Sequence, residues 1–416
     1  MYDFVIYAIF ANLLGKLFFP TSDQYLALLQ VYAVFAIGYL SRPLGGILFG
    51  YIGDRLGRQR GLIFSMIFMG LPIFLIGCLP TFHQWGYLAP ILLLLLRFIG
   101  GISIGGEFPS GVAYLSEHAS SHSRGLVASF LFFGVNLGIV FASLFSTLLI
   151  SHITESDLLR WAWRIPFLFG GFLAVIGLLV RKRMAESPVF LKQRKENKLA
   201  KNPILTVLHR ESRQITRSIS VVCVMAAAIS LVFLYMPVYL HNYLKIQTTD
   251  AFYFNTLNSV IFTLLIPVFA WLSDKTGRNF ILSIGAYLFL FLSIPLYYGM
   301  ESGSKGVILL CLICLGVFSA MVTGPMAATV SERFRAQYRT SGIGLSYNIS
   351  FGLIGGLAPV SVTFLIQLSQ SALSPAFYMM VTALLSLIAI VNLRDFSRVP
   401  LEKIEARLAT LADNEL

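Results

Sequence analysis

Gly53-Asp54-Arg55-Leu56-Gly57-Arg58 returns, in degraded form, as Ser273-Asp274-Lys275-Thr276-Gly277-Arg278. One shift of 220 positions carries Asp54 to Asp274, Gly57 to Gly277 and Arg58 to Arg278. A charged, Gly-containing loop between long apolar stretches, met twice at a constant offset, marks a chain built from two related halves. In a membrane chain, two equivalent halves around a central site are the pattern of a secondary transporter.

The stretches around the loops make the chain a membrane chain. Hydrophobic residues are 57% of it and charged residues 12%, against roughly half and about a quarter in an ordinary soluble domain. Runs of about 20 apolar residues span a bilayer as helices. About twelve are present, at 2–20, 28–52, 61–80, 87–116, 125–151, 161–181, 217–241, 252–273, 279–299, 306–330, 341–368 and 375–393. The expected fold is an all-α membrane protein whose transmembrane helices form two six-helix pseudo-symmetric halves. Its expected divisions are an N-terminal half 1–182, a middle loop 183–216, a C-terminal half 217–394 and a short tail 395–416. The middle loop is too charged and too short to bury a core of its own.

Lys and Arg gather in alternate loops, which orients the chain. Arg55, Arg58 and Arg60 follow the second run, and Arg333, Arg335 and Arg339 follow the tenth. The middle loop is basic from Arg181 to Arg217, while the intervening loops hold few basic residues or balance them with acids. Both termini and the middle loop are therefore expected in the cytoplasm, with the chain in a bacterial inner membrane. The net charge of +12 follows from this asymmetry and calls for no nucleic-acid partner. Cys311-x-x-Cys314 resembles half a zinc site, but it lies inside an apolar run with no His nearby, so it reads as small apolar filler. His118 and His122, beside Glu117, lack a third ligand and read as loop residues. No metal or other cofactor is expected.

A second repeat reinforces the first. Glu117 and Arg124 recur as Glu332 and Arg339, both shifted by 215 positions. Gly134, Asn136 and Gly138 in one fifth helix answer Asn348, Gly352 and Gly356 in the other. Small residues four apart let helices approach closely, and Gly46 with Gly50 and Gly101 with Gly105 share that spacing. Asp54, Arg58 and Glu117 can form a cytoplasmic charge cluster that latches the halves, with Asp274, Arg278 and Glu332 as its twin. Partly buried pairs of this kind add little stability but make good two-state switches. The alternative is that these charges serve topology and helix-end solvation.

Gly50, Asp54, Arg55, Gly57 and Arg58 fill the pattern G-x-x-x-D-R-x-G-R, and here the chain resembles the major facilitator superfamily. Further stretches resemble its metabolite:proton symporter family. These are Tyr2-Asp3-Phe4, Gly15 to Pro20, Arg42-Pro43-Leu44-Gly45-Gly46, Gly105-Gly106-Glu107, Trp163 to Phe167, Glu186-Ser187-Pro188 and Tyr235-Met236-Pro237-x-Tyr239-Leu240. The resemblance implies the major facilitator fold and proton-coupled carriage of proline and betaine, shikimate, α-ketoglutarate or citrate. It also places an acid in the first helix, at Asp3, in the coupling and substrate region. The family begins upstream of this Met1, so either the first helix is shortened at its cytoplasmic end or the start is misassigned. With Met1 as the start, Asp3 is expected at the water interface.

Ionisable groups at membrane depth are scarce, and each is a functional candidate. Arg97 follows Leu92 to Leu96, where it cannot easily snorkel, and it can meet a substrate carboxylate or a protonatable acid. Glu107 lies about 15 Å further along the same helix. It is expected either in the gate with Arg42 or Arg58 or as the proton carrier. Tyr235, Tyr239 and Tyr243 share a helix face that can hold a quaternary ammonium or form an interfacial belt. Asn136, Asn255, Asn258, Thr323 and Asn348 are candidate neutral hydrogen-bonders of the cavity, or helix–helix glue. Leu401, Ile404, Leu408 and Leu411 form a short heptad seam in the tail. The expected activity is secondary active transport of a small organic acid or zwitterion with protons, by a monomer in the lipid bilayer. An uncoupled facilitator or exporter of the same fold is the alternative, and a membrane-embedded enzyme or sensor is more remote.

Overall fold

Where no water is available, a chain must satisfy its backbone donors and acceptors internally, which favours helices for apolar runs. In a computed structural model describing residues 2–19 and 24–413, every regular element is helical. Among the described residues, 11 helices are long and apolar enough to cross a membrane, from Ala33–Arg55 to Ser374–Val391. Each overlaps one of the eleven apolar runs from 28–52 onward. The run at 2–20 forms two eight-residue helices, Tyr2–Ile9 and Ala11–Phe18. Phe10 N to Ile6 O and Leu14 N to Phe10 O carry the hydrogen-bond ladder across the break. Together the two helices measure about 25 Å at 1.5 Å per residue. Met1 and Asp23 lie outside the described residues.

The chain falls into two compact units, Met1–Gly111 with Gly134–Lys201 and Val112–Phe133 with Asn202–Leu416. Residues 112–133, placed by sequence in the N-terminal half, group with the second unit, where Glu117 and Arg124 find their ion-pair partners.

In the first unit, Ile6, Tyr7, Phe10, Leu14 and Phe18 pack with Leu93, Trp163 and Phe167. Phe18 and Trp163 meet edge to face at 5.5 Å between ring centroids. Lipid tails are as apolar as these side chains, so close van der Waals packing has to hold helices together. Gly101 and Gly105 permit it: a Cβ on either would overlap the carbonyl oxygens of Gly38 and Arg42.

In the second unit, two prolines shape the helices. Pro237 cannot donate to the Phe233 carbonyl one turn back, and the backbone there widens into a π-helical segment, Ile229–Tyr235. Asn255 Nδ2 supplies the missing donor to Phe233 O at 3.0 Å. Pro359 leaves Gly355 O without its helical partner in the same way, after the π segment Ser350–Gly355, and Ser230 Oγ donates to that oxygen at 2.6 Å. The polar middle loop forms two short helices, Pro188–Lys195 and Pro203–Arg210, each with proline in its first turn. The Ser187 and Asn202 side chains cap them by accepting from Phe190 N and Leu205 N.

The tail forms the helix Leu401–Asp413. Leu401, Ile404 and Leu408 are buried in its own chain, so the heptad seam is an intramolecular packing stripe rather than a free coiled-coil face. The Leu411 side chain lies outside the described residues.

Candidate functional site

Arg97 sits in the helix Leu88–His118 at 3% exposure, walled by aromatic rings. Its guanidinium carbon is 4.2 Å from the Tyr7 ring centroid, 4.4 Å from Phe4 and 5.9 Å from Phe35. The quadrupoles of those faces replace part of its lost hydration. Nη1 lies 3.7 Å from Asp3 Oδ2, a charge contact longer than a hydrogen bond. Among the described residues, Nε and Nη2 of Arg97 are buried and have no hydrogen-bond acceptor. Two unused donors on one buried cation suit a carboxylate arriving from outside the protein.

Asp3 departs from its expected place. It is buried at 5% exposure rather than set at the water interface. Phe4 packs edge to face with Phe35 and Tyr39, at 5.4 and 5.3 Å, and closes over the region. A cavity of about 120 Å³ borders Asp3 and Tyr2 in the first unit.

Glu107 pairs with neither gate arginine that sequence suggested. It accepts from Arg181 Nη2, and Arg181 Nη1 donates to Leu62 O at 2.8 Å. Arg181 lies in the last turn of the helix Arg164–Arg183, where it had been counted among the loop charges. Arg42 is buried with its guanidinium 5.4 Å from the Tyr39 ring.

The two copies of the loop motif share one backbone. Gly57 and Gly277 take φ of +124° and +111°, values that residues with a Cβ rarely adopt. Each loop is closed by an acid that follows the sixth helix of its half. Glu186 Oε1 accepts from Arg58 N and Gln59 N at 2.9 and 3.2 Å. Asp395 Oδ2 accepts from Asn279 N at 2.9 Å. Sequence reasoning noted Glu186 only as part of a motif and passed over Asp395; their matching positions were the available signal. Inside the first loop, Arg58 Nη1 lies 3.5 Å from Asp54 Oδ1 and donates to Gly53 O at 2.8 Å.

The second loop opens onto a buried charge network in which the repeated pairs exchange partners. Arg339 Nη1 donates to Glu117 Oε1 at 2.6 Å, and Arg124 Nη1 donates to Glu332 Oε1 at 2.6 Å. Arg278 grips Glu332 with Nε and Nη2 at 2.7 and 2.8 Å, the two-pronged geometry that suits guanidinium and carboxylate. Arg278 Nη1 also reaches Asp274 Oδ1 at 3.0 Å. Asp274 accepts from Gly125 N and Leu126 N at 2.9 Å each, filling donors that the start of the helix Arg124–His152 would leave open. Arg339 Nη2 reaches Glu405 of the tail at 3.1 Å. None of the six core members exceeds 5% exposure. Asp274, Arg278 and Glu332 therefore meet as expected, joined by Glu117, Arg124 and Arg339.

The remaining candidates separate. Tyr239 is fully buried and donates to Ala372 O at 2.9 Å, and Tyr235 shares a hydrogen bond with Thr363 at 2.9 Å. Their hydroxyls are thus tied into the second unit, and the Tyr239 ring packs against Tyr297 at 5.5 Å. Asn348 is buried and donates to Gly344 O within its own helix at 2.8 Å. Asn136 is half-buried in the helix Arg124–His152. Asn258 is fully buried in the second unit, and neither its Oδ1 nor its Nδ2 has a partner among the described residues. Thr323 Oγ1 is likewise unpartnered there.

Comparison with known proteins agrees with this architecture. The family model of the Major Facilitator Superfamily matches residues 4–359. A proline/betaine transporter of Salmonella typhimurium is 32% identical over 410 residues, covering 96% of this chain and 82% of the relative. A glycine betaine/proline/ectoine/pipecolic acid transporter of Dickeya dadantii matches with the same identity and coverage. Among solved structures, the proton:xylose symporter XylE superposes with a TM-score of 0.81 at 17% identity, over 98% of this chain and 95% of that one. The E. coli fucose:proton symporter FucP gives 0.70 at 15% identity, over 94% of this chain and 96% of that one. At these identities the two solved structures speak to the fold.

Proposed function

The chain belongs to the Major Facilitator Superfamily, and we propose that it is a proton-coupled importer of a small zwitterion of the proline or betaine type. It is a multi-pass membrane protein and a secondary transporter, as its relatives are; their being transporters sets aside the membrane-enzyme alternative. Substrate and coupling rest on one observation: the buried Arg97 guanidinium holds two unused donors while Asp3 stands 3.7 Å away.

The chemistry runs as a competition for one cation. Ionised Asp3 neutralises Arg97 in the absence of substrate. A proton on Asp3 removes that charge and frees Arg97, and the substrate carboxylate then accepts from Nε and Nη2. Proton and carboxylate thus bind together and leave together, as symport requires. Glu107 is held by Arg181 and is left out of the proton path. The charge network of Glu117, Arg124, Asp274, Arg278, Glu332 and Arg339 acts as the gate, since ion pairs made in one state and broken in another bias a two-state equilibrium. The basic loops support a reading in which both termini and the middle loop face the cytoplasm of a bacterial inner membrane, and in this reading the protein works as a monomer.

Uptake of radiolabelled proline and betaine into proteoliposomes, with and without an inward proton gradient, tests the reading. Accumulation only under the gradient is expected; uptake indifferent to it identifies an uncoupled facilitator and sinks the symport claim.

A further inference from the structure

A cavity of about 220 Å³ in the second unit is walled by segments distant in sequence: the start of the helix Ser212–Ala228, the turn after Ser331 and the stretch following Val391. Arg210, Arg213, Arg217, Arg333 and Arg394 line it. The acid in the wall, Glu211, is already engaged, accepting from the Tyr338 hydroxyl at 2.6 Å with Arg335 Nε 3.7 Å away.

Arg333 is the anomaly. It is 4% exposed, yet among the described residues its side chain makes no hydrogen bond or ion pair, and its buried Nε has no acceptor. The Phe396 ring lies 5.2 Å from its guanidinium carbon. Burial pushes the Arg333 guanidinium down to about 10, with Glu332 and Asp395 supporting its charge and Arg278 and Arg217 opposing it. It is still a cation at neutral pH. A buried cation left without an acceptor is costly, and here it faces a cavity with four more arginines in its wall.

We propose that this cavity binds a phosphate-type anion, presented either as free phosphate or as the headgroup of an anionic phospholipid. Guanidinium forks match phosphate oxygens two at a time. Arg333 at the floor supplies the desolvated contact, and Arg217 and Arg394 close over the remaining oxygens. Leu408 of the tail helix also lines the cavity, so occupancy ties the tail to the ends of the membrane helices. This site is separate from the Arg97 site and does not depend on what the protein transports.

The test uses full-length protein in phosphate-free detergent, read by its thermal unfolding midpoint, because a ligand bound by the native state alone raises apparent stability. One arm titrates inorganic phosphate against chloride at matched ionic strength. The other compares nanodiscs of phosphatidylglycerol with nanodiscs of phosphatidylcholine. Wild type is expected to show a saturable rise in one arm. Arg217→Gln with Arg394→Gln, changes at solvent-accessible positions, is expected to weaken that response about tenfold or more; Arg333→Gln is expected to remove it. Saturation by phosphate identifies the free anion, and a response confined to phosphatidylglycerol identifies the headgroup. No saturable rise in either arm overturns the proposal, as does a rise matched by chloride or undiminished in the double variant.

Discussion

Arg97 is held by what surrounds it rather than by a tight ion pair. Three aromatic faces within 6 Å and a carboxylate at 3.7 Å keep the cation in place and leave two of its donors unused. Arg97→Gln is expected to abolish saturable binding of proline or betaine in a thermal-shift assay while the unliganded protein still folds. The loss is about 100-fold in affinity, the worth of a two-pronged charged hydrogen bond at 1.4 kcal/mol per tenfold. Wild-type binding after that change removes Arg97 from the site. Asp3→Asn gives the complementary result: substrate exchange between equal pools continues, and stimulation by a proton gradient disappears. Arg97 was legible as a charge behind five leucines. The burial of Asp3 was not, because a residue beside the chain start reads as solvated until Phe4, Tyr39 and Phe35 are seen to close around it.

At the scale of the element, the prolines are the active parts. Pro237 and Pro359 each strip a carbonyl of its helical donor, and Asn255 and Ser230 restore the two bonds from neighbouring segments. Asn255→Leu is expected to destabilise the protein by about 1–3 kcal/mol, the cost of a buried unsatisfied carbonyl. The same change made in a Pro237→Ala background should cost clearly less, since an alanine at that position brings its own backbone N–H. Equal losses in the two backgrounds, by chemical or thermal unfolding, would show that Asn255 acts elsewhere. In the tail, Ile404→Asp places a charge in a position 1% exposed. Limited proteolysis should then cut after Pro400 at least tenfold faster, with the membrane helices intact. Asn255 and the tail seam were both visible as patterns, helix glue in one case and heptad in the other. Their partners were not visible, because a spacing of three and four says which side chains share a face and nothing about what covers it.

Across the whole molecule, the charge network ties residues 112–133 to the rest of the second unit through the crossed pairs Glu117–Arg339 and Arg124–Glu332. Glu332 serves two guanidiniums, Arg124 and Arg278, whereas Arg339 keeps Glu405 when Glu117 is removed. Glu332→Gln should therefore cost more than Glu117→Gln: about 3–5 kcal/mol against a smaller loss, because it takes the carboxylate from Arg124 and leaves Arg278 with Asp274 alone. Unfolding midpoints compare the two variants directly, and the reverse order would refute this ranking. The exchange Glu117→Arg with Arg339→Glu should recover part of what each single change loses. The repeat, the placement of the eleven long helices from 28–52 onward and the trio Asp274, Arg278 and Glu332 were legible in the sequence alone; the two short helices within 2–20 and the entry of Glu117, Arg124 and Arg339 into that cluster were not. Apolar run length, fixed offsets and the scarcity of charge in lipid are local properties, readable one residue at a time. Which partner each buried charge takes was decided only by tertiary structure. Glu107 went to Arg181, Asp3 to Arg97, and Glu186 and Asp395 to the backbone of the repeated loops. An ion pair is set by the distance between atoms far apart in the chain, and packing supplies that distance.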